Sequence, residues 1–286
     1  PISALLHAGI VNLGGYLLML FGPVWLQSGP AQWLILLVAG ATAVIAALSM
    51  AMRVSVKVKL AWSTCAQMAL MLIECALGLF ELALLHLVAH SCYKAYSFLS
   101  ANTTTQVWRC VWLAPPAPPT RTTWMLSAIV AIAITGVAAV LSNKLALISP
   151  WLFMAAALTA VLAEQGSARV RRDMAFFIPL AIGIVAFYTV LKSGAGYLLG
   201  DVPAAARPVA DIWVSLLVVM LFIGHIMLRH VPGNVVSRRL ARRLYAGFYL
   251  DEWATYTTLA IWPLRFPTQR YPVATDHAAP FKSSSS

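Results

Sequence analysis

Between Leu82 and Leu99 the chain reads Leu-Ala-Leu-Leu-His-Leu-Val-Ala-His-Ser-Cys-Tyr-Lys-Ala-Tyr-Ser-Phe-Leu, an apolar run carrying three ionisable residues, His86, His90 and Lys94. Their i, i+4, i+8 spacing puts all three on one stripe of a helix, and at 1.5 Å per residue the stripe extends over roughly 12 Å. That geometry is a row, not a cluster. A neutral imidazole accepts a proton on one nitrogen and releases one from the other, and a lysine taken out of water exchanges its proton more readily than a solvated one. Such a row suits proton relay. The simpler alternative has both histidines hydrogen-bonded to neighbouring helices and Lys94 snorkelling to an interface. Histidines four apart on a helix also share metals, but no His-Glu-x-x-His pattern or third ligand accompanies these two, and no metal site is expected.

Other polar residues extend the row. His7 sits in Ser-Ala-Leu-Leu-His-Ala-Gly-Ile-Val-Asn, one turn after Ser3, with Gly9, Gly14 and Gly15 permitting close helix approach or a local break. Lys192 occurs in Phe-Tyr-Thr-Val-Leu-Lys-Ser-Gly-Ala-Gly, where Gly194 and Gly196 are placed to interrupt the helix and free backbone groups to line a water-filled cavity. Glu74 and Glu81 bracket one membrane interface. Glu74 is a candidate exit carboxylate for a relay, although its place near a helix end makes a solvated surface group the default reading. Lys57 and Lys59 fall close to the opposite interface, where a topological role suffices.

The elements that must hold these residues are membrane helices. Of 286 residues 61% are hydrophobic and 10% charged, against about 25% charged in soluble domains; a soluble globular protein is excluded. Twenty Lys and Arg against nine Asp and Glu give a net charge of +11, yet the basic residues form short clusters between apolar runs rather than one face, so a nucleic-acid surface is not expected. A span needs roughly 20 apolar residues. Eight runs qualify, at 1–21, 31–52, 56–77, 82–101, 123–141, 149–163, 174–199 and 209–228, the sixth being short with an insecure start. The expected fold class is an all-α polytopic membrane helix bundle of about eight transmembrane helices with a basic amphipathic C-terminal segment.

Charge supports the count. Lys and Arg favour cytoplasmic loops, and alternate connections collect sixteen basic residues on one side, including Arg53, Arg109, Arg121, Arg169, Arg229 and the tail arginines, against Lys144 and Arg207 on the other. Lys94 and Lys192 alone remain inside apolar runs. The same alternation places the start of the chain and its tail in the cytoplasm. Pro115, Pro116, Pro118 and Pro119 mark a non-helical loop, a spacer between two groups of helices. From Val235 to Trp262, Arg pairs mix with Leu, Tyr, Phe and Trp, as in an amphipathic helix on an anionic membrane surface or against a partner; Arg238, Arg239, Arg242 and Arg243 are the candidate docking residues. Cys65, Cys75, Cys92 and Cys110 are scattered without C-x-x-C spacing and read as packing residues. The chain starts without Met and with no signal peptide that can be assigned, as expected of a fragment lacking its N-terminus.

Three ordered motifs, Ser-Ala-Leu-Leu-His-Ala-Gly-Ile-Val-Asn at 3–12, Lys-Leu-Ala-Trp-Ser-Thr-Cys-Ala-Gln-Met at 59–68 and His-Leu-Val-Ala-His-Ser-Cys-Tyr-Lys-Ala-Tyr-Ser-Phe-Leu at 86–99, closely resemble the antiporter-like membrane subunits shared by complex I and the Mrp cation/proton antiporters. The resemblance is tight over about the first 100 residues and rests on helix pattern for the next 130. It implies antiporter-like proton-channel helices at 1–101, a cytoplasmic proline-rich loop at 102–122, further transmembrane helices at 123–229 and a cytoplasmic basic tail at 230–286. It makes His7 the connecting histidine, His86, His90 and Lys94 the central relay, and Lys192 a candidate terminal lysine, with the family's N-terminal half preceding Pro1. Within the superfamily, His-Ala-Gly-Ile-Val-Asn-Leu-Gly-Gly and the ending Leu-Tyr-Ala-Gly-Phe-Tyr-Leu-Asp-Glu are most similar to the membrane-subunit branch of the DAB inorganic carbon accumulation systems. The 24 residues after Trp262 leave no room for the lateral and anchoring helices of the complex I subunit. That branch implies no catalysis and no cofactor in this chain, residence in the bacterial inner membrane, and a large cytoplasmic zinc-containing, carbonic-anhydrase-like (DabA-like) partner. The alternatives are a proton-pumping subunit of NADH:quinone oxidoreductase or a Mrp-type sodium/proton antiporter, and a structural anchor with inert histidines and lysines.

Overall fold

The computed structural model describes residues 2–100, 119–142, 147–165, 170–199, 208–230 and 233–262. The proline-rich stretch through Pro118 lies outside them, as do Arg109, Cys110, Lys144, Arg169, Arg207 and the tail after Trp262. Among the described residues there is no strand. The eight expected runs are eight helices: α1 (Ile2–Leu20, with a wider π turn at Leu6–Ile10), then, after the short α2 (Gly22–Trp25), α3 (Gly29–Met52), α4 (Val56–Ala76), α5 (Phe80–Leu99), α6 (Arg121–Leu141), α7 (Ser149–Gln165), α8 (Val170–Leu199) and α9 (Pro208–His230). Six of these are long and apolar enough to cross a bilayer. The other two fail for physical reasons already visible in sequence: α5 is diluted by its own Glu81, His86, His90 and Lys94, and α7 is 17 residues long.

Side-chain ties between helix ends fall into two sets, as antiparallel neighbours require. At one end, Gln32 at the start of α3 donates to the Ala76 carbonyl at the end of α4, Lys192 near the end of α8 meets Glu81 at the start of α5, and Asp211 at the start of α9 accepts from the backbone of Ser149 at the start of α7. At the other end, Arg229 of α9 meets Glu164 of α7, and the His230 ring lies edge-on to Trp124 at the start of α6. This is the antiparallel alternation that eight passes require.

Small residues set the tightest packing. Ala39 and Ala43 of α3 and Ala69 and Ala76 of α4 are buried in one apolar cluster with Leu36, Ile73 and Val214. Between α3 and α9 two glycines make room for leucines on the facing helix: a Cβ at Gly40 would lie 2.6 Å from Leu217 Cδ1, and one at Gly224 would lie 2.9 Å from Leu48 Cδ2. Gly40→Ala therefore forces Leu217 out of its place, and overpacking of this kind costs about 1–3 kcal/mol. The expected result is a lower melting temperature in detergent with the helix content unchanged.

The basic segment is two helices, not one. α10 (Val235–Tyr245) buries Ser237 and Leu244, the latter in a cluster with Val44, Leu48 and Leu228, and Ser237 Oγ donates to the Met227 carbonyl at 2.9 Å. Arg238, Arg239, Arg242 and Arg243 occupy the outward, exposed half of this helix. The helix ends before Gly247–Tyr249, where Phe248 and Tyr249 take φ of 54° and 56°. That left-handed backbone is one a continuing α-helix cannot accommodate. A second compact unit begins at Gly247 and contains α11 (Leu250–Ile261).

Candidate functional site

The site is built on α5, with α4 supplying its polar partners. His86 lies one turn and a half into α5, and its Nδ1 is 3.0 and 3.1 Å from the two carboxylate oxygens of Glu74. Its Nε2 is 2.8 Å from Oε1 of Gln67. With the amide oxygen facing it, the ring is satisfied as an imidazolium that donates from both nitrogens. With the amide turned over, Gln67 donates instead and the neutral imidazole is satisfied. The two amide orientations are near-isosteric, so this residue has a fully hydrogen-bonded partner set in either charge state. Glu74, whose position suggested a solvated carboxylate, is instead mostly covered beneath His86, its side chain 18% exposed. The reason is that Gly78, with φ of 75°, turns the chain directly from α4 into α5 and folds the two helix ends against each other.

One turn further along, His90 is buried, its ring 6.3 Å from that of His86, and neither of its nitrogens has a hydrogen-bond partner. A buried polar group left unpaired costs about 1–3 kcal/mol. Lys94 is wholly buried, with Nζ donating to the Leu60 carbonyl of α4 at 3.0 Å, and among the described residues no carboxylate pairs with it. It does not snorkel. His7 lies in the π turn of α1 and stacks flat on Phe98, one turn beyond Lys94, with ring centroids 4.8 Å apart. Asn12 donates to Ser91 Oγ at 2.7 Å and so pins α1 to α5 next to His90.

Lys192 belongs to a different group. α8 continues unbroken through Gly194 and Gly196, contrary to the expectation that these glycines interrupt it. Two glycines cost a helix only about 1 kcal/mol each, which the turns that follow Pro179 in this helix outweigh. Gly196 serves another purpose: a Cβ there would stand 3.3 Å from Glu81 Oε2, so the missing side chain admits that carboxylate. Glu81 Oε1 lies 3.6 Å from Lys192 Nζ, and the ammonium sits 5.9 Å from the centroid of the Trp151 ring.

The structure thus gathers His86, His90, Lys94 and His7 along α5, and holds Lys192 with Glu81. Beside Glu74 and His86 lies a cavity of about 410 Å³ where α4, α5, α7, α8 and α9 meet. Its walls are apolar except for Glu74, His86, Ser149 and Tyr188. Gln67 and Asn12 stand inside the quoted motifs as polar residues in apolar runs, and that was the signal by which sequence could have assigned them a role. Chemically the arrangement offers a file of exchangeable protons braced by a carboxylate, enclosed by lipid-facing helices.

A bundle of antiparallel membrane helices around a buried histidine-lysine row defines a multi-pass membrane protein with an ionisable interior. Residues 1–163 match the family described as NADH:quinone oxidoreductase/Mrp antiporter, transmembrane, and the chain belongs to that family. It is 44% identical over 272 residues to the probable inorganic carbon transporter subunit DabB of Hydrogenovibrio crunogenus, covering 95% of this chain and 52% of that protein. It is 30% identical to the probable inorganic carbon transporter subunit DabB2 of Halothiobacillus neapolitanus, covering 92% and 50%. NADH-ubiquinone oxidoreductase chain 5 of Rhizopus stolonifer is 40% identical over 103 residues, 36% of this chain. The chain spans about half the length of the two inorganic carbon transporter subunits.

Proposed function

We propose that this chain is part of a proton-conducting membrane subunit that couples the proton gradient to inorganic carbon uptake. Protons pass among His7, Lys94, His90 and His86, with Glu74 as the carboxylate at which the central row ends and Lys192 beyond it. The observation that carries this reading is the wholly buried Lys94 aligned with an unpaired His90 and a doubly partnered His86. A membrane potential contributes about 2.3 kcal/mol per charge per 100 mV, enough to bias transfer along such a row. The chain resides in the inner membrane with α10 and the tail in the cytoplasm, where Arg238, Arg239, Arg242 and Arg243 meet the membrane surface or a partner. The partner is a large cytoplasmic, zinc-containing, carbonic-anhydrase-like subunit. The inorganic carbon assignment is supported by the similarity to the DabB subunits over almost the whole chain.

The second reading, a proton pump of the quinone-oxidoreductase or Mrp type, is favoured by the likeness to NADH-ubiquinone oxidoreductase chain 5 over about a hundred residues. Affinity purification of the tagged full-length protein separates the two. A large soluble zinc protein co-purifying with it supports carbon uptake, and a set of quinone-oxidoreductase subunits overturns it.

A relay through His86 also makes Glu74 measurable. Glu74→Gln keeps a hydrogen-bonding group of the same size beside His86 but removes the carboxylate charge. Hydrogen bonds to charged groups are worth about 1.5–3 kcal/mol. Proton flux in proteoliposomes is expected to fall by about tenfold or more while assembly stays unchanged.

A further inference from the structure

His86 is held by Glu74 and Gln67, Lys192 meets Glu81, and Glu74 and His86 stand on the wall of the cavity of about 410 Å³. At about 30 Å³ for each water, the space takes several, but apolar walls order few of them. A proton crossing from one pair to the other needs a fixed hydroxyl on the way.

Tyr188 is where that hydroxyl stands. It lines the cavity together with Glu74 and His86, and it lies one helical turn before Lys192 on the same face of α8. Its ring is fixed edge-on to Trp151 at 6.4 Å, and the same Trp151 is the ring that faces the Lys192 ammonium. The other hydroxyl on the cavity wall, Ser149, is on α7 at the base of a helix whose first backbone groups are taken by Asp211.

We propose that Tyr188 is the bridging step between the His86–Glu74 pair and the Lys192–Glu81 pair. In each transfer the phenol O–H bond breaks toward one pair as the oxygen takes a proton, directly or through one water, from the other. One O–H bond is lost and one gained at the same oxygen, and the residue ends as neutral as it began. Trp151 is then a positioning residue, keeping the phenol pointed across the cavity.

This proposal rests on the relay reading, and its test tells the two apart. The full-length protein with its partner is reconstituted in proteoliposomes, and proton flux is compared for the parent, Tyr188→Phe, Tyr188→His and Lys94→Met. Phenylalanine keeps the ring and its packing on Trp151 and removes only the hydroxyl. The expected result is a loss of at least about tenfold in flux for Tyr188→Phe with an unchanged melting temperature, and partial recovery in Tyr188→His, which restores a group that can pass a proton. Parental flux in Tyr188→Phe beside an inactive Lys94→Met overturns the bridge and leaves the relay standing. Equal losses in the Phe and His variants make the residue a packing element and overturn the bridge as well. Parental flux in both Tyr188→Phe and Lys94→Met overturns the relay together with it.

Discussion

Lys94→Met is expected to remove proton conduction, by about a hundredfold or more, while the protein folds at least as well as the parent. The first half follows from the proposed relay, in which Lys94 stands one turn from His90 and one turn from the Phe98 on which His7 stacks, and removing a positioned proton-transfer group costs on the order of 10²–10⁴ in rate. The second half follows from what Lys94 touches. Its ammonium is wholly buried with a single carbonyl partner, Leu60, and among the described residues no carboxylate neutralises it. Replacing an uncompensated buried charge with an apolar chain of similar length relieves desolvation rather than creating it. The Leu60 carbonyl is not orphaned, because Thr64 Oγ1 also donates to it at 3.0 Å. A residue kept for structure would lower the melting temperature when replaced. A relay residue loses flux and keeps, or gains, stability. Flux in proteoliposomes and melting in detergent, measured on one preparation of the full-length protein, separate these. Parental flux with normal assembly overturns the relay.

The same contrast explains what sequence could and could not convey. The row on α5 was legible because all three residues lie on one helix, where spacing alone fixes their common face. The eight helices were legible, six of them long and apolar enough to cross a bilayer, because lipid imposes long apolar runs and charge marks their ends. Partners contributed by other helices were not. Nothing in the order of residues announces that Glu74 folds back beneath His86, or that Gln67 faces the opposite nitrogen of the same ring, because those contacts depend on how closely α4 and α5 turn at Gly78. Lys192 illustrates the converse. Its neighbours Gly194 and Gly196 look like helix breakers in sequence, yet the helix runs through both, and Gly196 marks instead the close approach of Glu81. The cavity beside Glu74 and His86 has no sequence signature at all, since apolar wall and apolar core are composed alike.

Asp211→Ala is expected to be the most destabilising single substitution outside the apolar core, at about 2–6 kcal/mol. α7 is the shortest of the eight helices and carries little polar contrast between its faces to fix its depth. Two carboxylates tie it to α9. At the far end Glu164 meets Arg229 at 3.3 Å and His225 at 3.4 Å, but the arginine side chain is 57% exposed, and such pairs are worth about 0–1 kcal/mol. At the near end Asp211 is buried and accepts from two backbone groups, Ile148 N–H at 2.8 Å and Ser149 N–H at 2.9 Å, one on each oxygen. A negative charge there also sits at the positive end of the α7 dipole. Alanine leaves both N–H groups without that partner, at about 1–3 kcal/mol for each. Asparagine keeps one acceptor and turns its amide toward the other N–H, so its cost falls between. The order expected in detergent melting is Asp211→Ala below Asp211→Asn, with Glu164→Gln within about 1 kcal/mol of the parent. If Glu164→Gln melts lower than Asp211→Ala, the depth of α7 is set by the exposed pair and not by the buried cap. The cap escapes sequence reading because its residue lies 62 positions from the helix it caps, whereas capping rules look only to the residues just before the first turn.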